Sequence, residues 1–192
     1  MACACVAAQP QPAEPSQQPA TPVAVKPSPE LTRLTEAFSG SWTVASKTEP
    51  NGFTPAGTAV GTAEFYSGPG DLALGQQYRT VGPSGEFVAT MLMWWDDKEK
   101  GFKHLWCDNV SGCRTSVGIM RWEGNVLKGT ETTEIVGKSL EVRTSVRDIQ
   151  PNSFVYEQEI GPVGGEFQRV MTIQYKRRTA TPYYPGRRSG RR

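Results

Sequence analysis

"SPELTRLTEAFSGSWTVASKT", Ser28 to Thr48, changes its hydrophobic period halfway along. In its first half Leu31, Leu34 and Phe38 recur at helical spacing, which puts one apolar face on a helix of two to three turns. Ser28 is an N-cap residue, Pro29 falls at the first helical position where its missing N–H costs nothing, and Glu30 places negative charge in the first turn. Gly40 is the expected stop. From Ser41 onward the period becomes two, and it stays two to the end of the foldable chain.

Ten strands are expected after the helix: 41–48, 57–66, 72–82, 86–95, 102–108, 113–122, 126–135, 139–149, 153–160 and 166–176. Turn residues separate them, among them Pro50-Asn51-Gly52, Gly82-Pro83-Ser84-Gly85, Glu123-Gly124-Asn125 and Gly161 to Gly165. No link is long enough for a helical crossover, so the sheet is expected to be antiparallel throughout. A meander without a long connection favours an up-and-down β-barrel over a Greek-key sandwich.

Alternation sorts the faces. Phe102, His104, Trp106 and Asp108 share one side of their strand, and Lys103, Leu105 and Cys107 share the other. Met91, Met93 and Trp95 lie together, as do Leu127, Gly129, Glu131 and Thr133, and as do Phe167, Arg169, Met171, Ile173 and Tyr175. The inward set therefore carries polar groups: Gln76, Tyr78, His104, Glu131 and Arg169. A solid core rarely holds so many, whereas a barrel enclosing a cavity does. The expected ligand contacts are Trp42, Tyr78, Met93, Trp95, His104, Trp106, Glu131, Arg169 and Tyr175, with Glu131 and Arg169 either paired across the lumen or wet at its rim.

Composition bounds the rest. Residues 1–27 are rich in Pro, Ala and Gln with no aromatic, and 177–192 are basic and broken by Pro and Gly; both are expected to be disordered, leaving Ser28 to Lys176 as one domain. The net charge of +2 is more than accounted for by six arginines after Lys176, so the core offers no electrostatic footprint for nucleic acid. No apolar run reaches the ~18 residues that span a membrane. Val6-Ala7-Ala8 followed by Gln and Pro is similar to the end of a secretory signal whose start is missing, so export is expected and a cytoplasmic setting stays open.

The single histidine and two of the four cysteines fall in one stretch, Gly101 to Thr115. His104, Cys107 and Cys113 could count as three zinc ligands, but His104 differs in parity from Cys107 and so faces away from it. The same geometry disfavours a Cys–His nucleophile. Neither a nucleophile elbow, a phosphate loop nor a His-Glu-x-x-His motif occurs. Cys107 and Cys113 flank the Asp108–Gly112 turn symmetrically, and opposed hairpin residues lie close to disulfide range, so a bond is expected in an oxidising compartment.

The short helix leading into Gly40-Ser41-Trp42 and an antiparallel meander resembles the calycin group, including lipocalins. That resemblance implies a tryptophan packed across a closed barrel end against a basic residue after the last strand, the part open to Lys176, Arg177 or Arg178. The chain is also similar to the bacterial domain-of-unknown-function 1579 family over roughly Ser28 to Arg177. The matching stretches include Trp95-Asp96-Asp97, Phe102 to Asp108, Glu123-Gly124, Val142-Arg143, Glu166-Phe167 and Ile173-x-Tyr175. This implies a lipocalin-like barrel and no particular reaction. The haem-binding nitrobindins are a further resemblance, but their glycines after the first tryptophan are replaced here by Thr43 to Ser46, and no histidine follows His104. No cofactor and no metal are therefore expected. The leading expectation is a barrel binding a small apolar or amphipathic molecule; the alternatives are a structural or interaction module with a filled lumen and an enzyme using His104 as general base.

Overall fold

The computed structural model describes residues 24–51, 55–115, 118–135 and 137–178. The leader up to residue 23 and the tail from 179 lie outside the described residues. Helix α1 (Pro29–Phe38) is followed by β1 (Gly40–Thr48), β2 (Gly57–Ser67), a 3₁₀ turn at Pro69–Asp71, β3 (Leu74–Gly82), β4 (Gly85–Asp96), β5 (Gly101–Asp108) and β6 (Gly112–Thr115). Then come β7 (Ile119–Glu123), β8 (Val126–Ile135), β9 (Lys138–Gln150), β10 (Ser153–Pro162) and β11 (Gln168–Arg177). Every ladder is antiparallel, and the order runs β4-β3-β2-β1-β11-β10-β9-β8-β7-β5-β6 with β4 also paired to β5. The sheet thus closes on itself as a ten-stranded up-and-down barrel, β6 and β7 together filling one strand position. Closure removes most of the free edge that an open sheet would expose.

Two expectations are corrected and one is met. The span 113–122 is two strands rather than one: β6 pairs with β5, and β7 pairs with β8 while its ladder with β5 is the single pair Phe102↔Met120. The helix runs to Phe38 with Ser39 as its C-cap, the Ser39 N–H donating to the Thr35 carbonyl at 2.9 Å, and Gly40 follows as the expected stop. The last strand runs through Arg177, which therefore belongs to the barrel and not to a tail.

Helix α1 closes one end. The Ser28 hydroxyl accepts from the Leu31 N–H at 3.1 Å, and Leu31, Leu34 and Phe38 are buried against the barrel. Beneath them lies an aromatic cluster: Phe154 meets Phe38 edge-on at 4.8 Å, Trp42 edge-on at 4.7 Å, and stacks on Tyr175 at 4.2 Å. Arg33 lies over the Trp122 ring at 3.8 Å and donates to the Gly124 carbonyl at 2.6 Å, tying the helix to the β7–β8 turn. The Arg177 guanidinium lies 4.2 Å over Trp42 and donates to the carbonyls of Ser39 and Pro151, each at 2.6 Å. Gly40 has a φ of +122°, and a Cβ there would stand 2.6 Å from an Arg177 nitrogen, so this crossing needs glycine for both backbone and space.

Candidate functional site

The barrel encloses a cavity of about 790 Å³ that runs from Leu34 and Phe38 of the helix plug to the opposite mouth, at the Gly82–Gly85 turn and the loop after Asp108. Its wall is largely apolar, with Phe87, Met91, Met93, Trp106, Met120, Met171 and Ile173 presented by the inward pleats of β4, β5, β7 and β11. Polar side chains interrupt that wall at several heights. Gln76, Tyr78 and Thr80 rise along β3, Tyr156 and Gln158 along β10, and His104, Glu131 and Arg114 stand on β5, β8 and β6.

The tyrosines are held as neutral hydrogen-bonding groups. Burial pushes the phenols of Tyr78, Tyr156 and Tyr175 up, Tyr175 the furthest. Thr80 and Ser46 beside Tyr78, Thr144 beside Tyr156 and Gln76 beside Tyr175 act against that rise without cancelling it. At the mouth, burial works against the Asp108 charge. Hydrogen bonds outweigh it: from the Ser111 hydroxyl and N–H (both 2.6 Å), the Val110 N–H (2.8 Å) and the Trp106 indole (2.7 Å). Together they hold the carboxyl well below the usual carboxylate range and fix the Trp106 ring.

His104 has the opposite problem. Its Nδ1 is buried with no hydrogen-bond partner among the described residues, and burial lowers its pKa, while Glu131 acts to raise it and Arg114 to lower it further. The folded imidazole therefore resists protonation. As pH falls below the unfolded value of about 6.5, the unfolded chain takes up a proton the folded chain cannot, so stability contributed by this group is present above that pH and lost below it. The unfolding free energy of the parent is expected to fall more steeply from pH 7 to pH 5 than that of His104→Gln. The slopes can differ by at most about 1.4 kcal/mol per pH unit, the limit for one proton. Parallel profiles from denaturant titrations across that range would remove the argument.

Six of the nine expected contacts line this cavity: Tyr78, Met93, His104, Trp106, Glu131 and Tyr175. Three do not. Trp42 is fully buried in the closed end, its indole donating to the Phe38 carbonyl at 2.8 Å. Trp95 lies one pleat nearer the helix end than Met93, edge-on to Phe102 at 5.1 Å and donating to Asp97 at 3.0 Å. Arg169 faces the outside, because the β10–β11 register passes from Gln158↔Met171 to Glu159↔Arg169 and leaves Val170 as a bulge. One extra residue inverts the alternation, so Arg169 pairs with Glu157 at 2.9 Å and Glu159 at 3.5 Å on the outer wall instead of reaching Glu131.

The same outer wall holds Glu157, whose carboxylate takes two bonds from Arg147 at 2.7 and 2.8 Å; that guanidinium holds the acid below its ordinary value. Reading the alternation strand by strand missed Tyr156, which lines the lumen, and Arg114, which lines its mouth largely exposed, donating to the Ser111 hydroxyl at 2.9 Å. Both were signalled: Tyr156 shares parity with Phe154, and Arg114 stands opposite Trp106 once Cys107 is set opposite Cys113. The sulfurs of Cys107 and Cys113 are bonded, on the face of β5 turned away from His104.

Solved structures share the fold at low identity. Rv2717c from M. tuberculosis matches with a TM-score of 0.53 at 16% identity, over 80% of this chain and 100% of its own. The S-type phycobiliprotein lyase CPES from Guillardia theta matches with a TM-score of 0.51 at 10% identity, over 79% of this chain and 94% of its own. No curated protein sequence is significantly similar to the chain. The family described as "Protein of unknown function (DUF1579)" matches residues 26–177, which take in the helix plug, the barrel and the Arg177 that closes it, and the chain belongs to that family.

Proposed function

We propose that this protein binds a small, mainly apolar molecule inside the barrel. The observation that carries the reading is the lumen itself: about 790 Å³, apolar walls and a few inward polar groups. Small-molecule sites have roughly 300–1,000 Å³ and that same mixture, apolar area for affinity and isolated polar groups for orientation. A filled structural barrel would have its inward side chains meeting across the axis. A general base needs a partner that orients it, and among the described residues none bonds the His104 Nδ1, so this geometry lends an enzymatic reading no support. The Cys107–Cys113 bond supports an exported setting, since such bonds persist in oxidising compartments.

The neutral, polarity-sensitive dye Nile red tests the reading. One-to-one saturable binding with a blue-shifted emission is expected. Met171 lines the lumen from β11, and Met171→Trp fills that space without adding charge. This variant is expected to bind the dye at least about tenfold more weakly, equivalent to ~1.4 kcal/mol, with its circular dichroism unchanged. Non-saturable binding, or binding indifferent to Met171→Trp, would show that the dye does not enter the barrel.

A further inference from the structure

The barrel wall has a break in its hydrogen bonding, and the luminal charges gather beside it. Among the described residues, β6 pairs with β5 alone, and β8 beyond Thr130 pairs with β9 alone, so no ladder there joins Gly112–Thr115 to the outer half of β8. His104 stands on β5 opposite Met93, Arg114 on β6 opposite Trp106, and Glu131 on β8 next to the last β7 pair. His104 and Tyr156 each lie within electrostatic reach of both Glu131 and Arg114. We propose that His104 and Glu131, with Arg114 at the rim beside them, form a polar subsite of the lumen at this seam, and that it takes the hydroxyl of an uncharged, ring-containing ligand while rejecting carboxylate amphiphiles.

The proposal rests on the lumen-binding reading and adds the ligand's chemical class. Charge argues first. Of the described residues lining the cavity, two are acidic, Asp108 and Glu131, and Arg114 is the lone permanent cation. Asp108 is already saturated by donors from Trp106, Val110 and Ser111, and Arg114 is engaged beside it, 3.9 Å from that carboxylate and donating to the Ser111 hydroxyl at 2.9 Å. A ligand carboxylate entering here adds a third negative charge against one guanidinium, in a wall otherwise made of neutral groups, and gives up its hydration to do so. Hydrogen-bonding capacity argues second. His104 lines the lumen with a ring whose Nδ1 bonds to nothing among the described residues. A neutral imidazole offers one donor and one acceptor, and the tautomer sets which nitrogen is which. A hydroxyl both donates and accepts, so it satisfies either tautomer, which a lone acceptor or a lone donor does not. Shape argues third: Phe87 and Trp106 are roughly parallel, 6.5 Å apart with 25° between planes, and with Met91 and Met93 they offer flat, polarizable surfaces suited to rings.

Four probes of one size separate these effects: naphthalene, 2-naphthol, 2-naphthoate and 2-naphthylmethylammonium, titrated calorimetrically into the full chain at pH 7.5. 2-Naphthol is expected to bind at least about tenfold more tightly than naphthalene and 2-naphthoate. In His104→Phe its advantage over naphthalene is expected to shrink below about threefold while naphthalene still binds. In Glu131→Gln, which keeps size and removes charge, 2-naphthoate is expected to gain about tenfold. Equal binding of 2-naphthol and naphthalene by the parent, or an advantage that survives His104→Phe, overturns the polar subsite and leaves the lumen reading standing. Tightest binding by 2-naphthoate or by the ammonium overturns the ligand class. Absence of binding by all four, with Nile red also excluded, overturns the lumen reading and this inference together. Should His104→Phe fail to fold, the Glu131→Gln arm decides alone: no gain for 2-naphthoate there counts against the proposal.

Discussion

Replacing Trp42 with alanine is expected to lower the unfolding free energy by about 3–5 kcal/mol, the usual range for removing a fully buried large aromatic. Trp42 has no exposed surface, and three separate contacts depend on it. Its indole N–H donates to the Phe38 carbonyl at 2.8 Å, satisfying one of the acceptors left over at the end of α1. Phe154 meets its ring edge-on at 4.7 Å, and the Arg177 guanidinium covers it at 4.2 Å. Truncation opens a cavity where helix plug and barrel meet and strips a buried carbonyl of its donor. Arg177 keeps its bonds to Ser39 and Pro151, so Arg177→Ala is a distinct lesion. A double-mutant cycle over Trp42→Ala and Arg177→Ala is expected to return a coupling of about 0.5–2 kcal/mol for the cation on the ring. Urea unfolding of the four proteins measures both quantities. A loss below about 1 kcal/mol for Trp42→Ala would mean that the helix plug is not held by this residue.

The barrel was readable from the chain because its signals are local. Each hairpin carries its own turn residues, and period-two alternation needs only a short window to appear. The luminal position of His104 and Trp106 followed from Lys103 and Leu105 between them, with no knowledge of the partner strands. What could not be read was anything that depends on counting across an irregularity or on height along the barrel axis. Val170 looks like an ordinary strand valine, yet it is the extra residue that turns Arg169 from lumen to surface. The split between β6 and β7 leaves the apolar pattern of 113–122 looking continuous while the strand changes partners. Trp42 and Trp95 have the parity of lumen residues, but alternation gives the face and not the depth, and both stand at the closed end where side chains fill the axis. Arg114 was hidden differently: its place follows only from the Cys107↔Cys113 register, which the sequence permits without requiring.

Two glycines four residues apart on β2 should respond in opposite ways to the same substitution. Gly57 pairs with Thr48 at the mouth, and a Cβ built there meets nothing nearer than Pro83 at 3.9 Å. Gly57→Ala is therefore expected to change stability by no more than about 1 kcal/mol, in the stabilising direction, because alanine narrows the unfolded ensemble and fits the folded one. Gly61 pairs with Val44 on one side and Thr80 on the other, in the middle of the sheet. A Cβ there would stand 1.9 Å from the Arg79 carbonyl oxygen and 2.7 Å from the Thr80 Cα. Both obstacles are backbone of β3, which is itself fixed between β2 and β4, so no side-chain rotation relieves the clash. Either the β2–β3 ladder parts or the barrel wall shifts as a unit, and Gly61→Ala is expected to cost about 3 kcal/mol or more, at or above the upper end of ordinary overpacking. The sheet bends tightly enough here that only hydrogen fits, so the loss should also appear as weaker Nile red binding, since Tyr78, Thr80 and Ser46 of the lumen hang on the same three strands. Thermal unfolding of the pair decides the matter: equal, small shifts for Gly57→Ala and Gly61→Ala would show that the wall is not closed as tightly as these distances require.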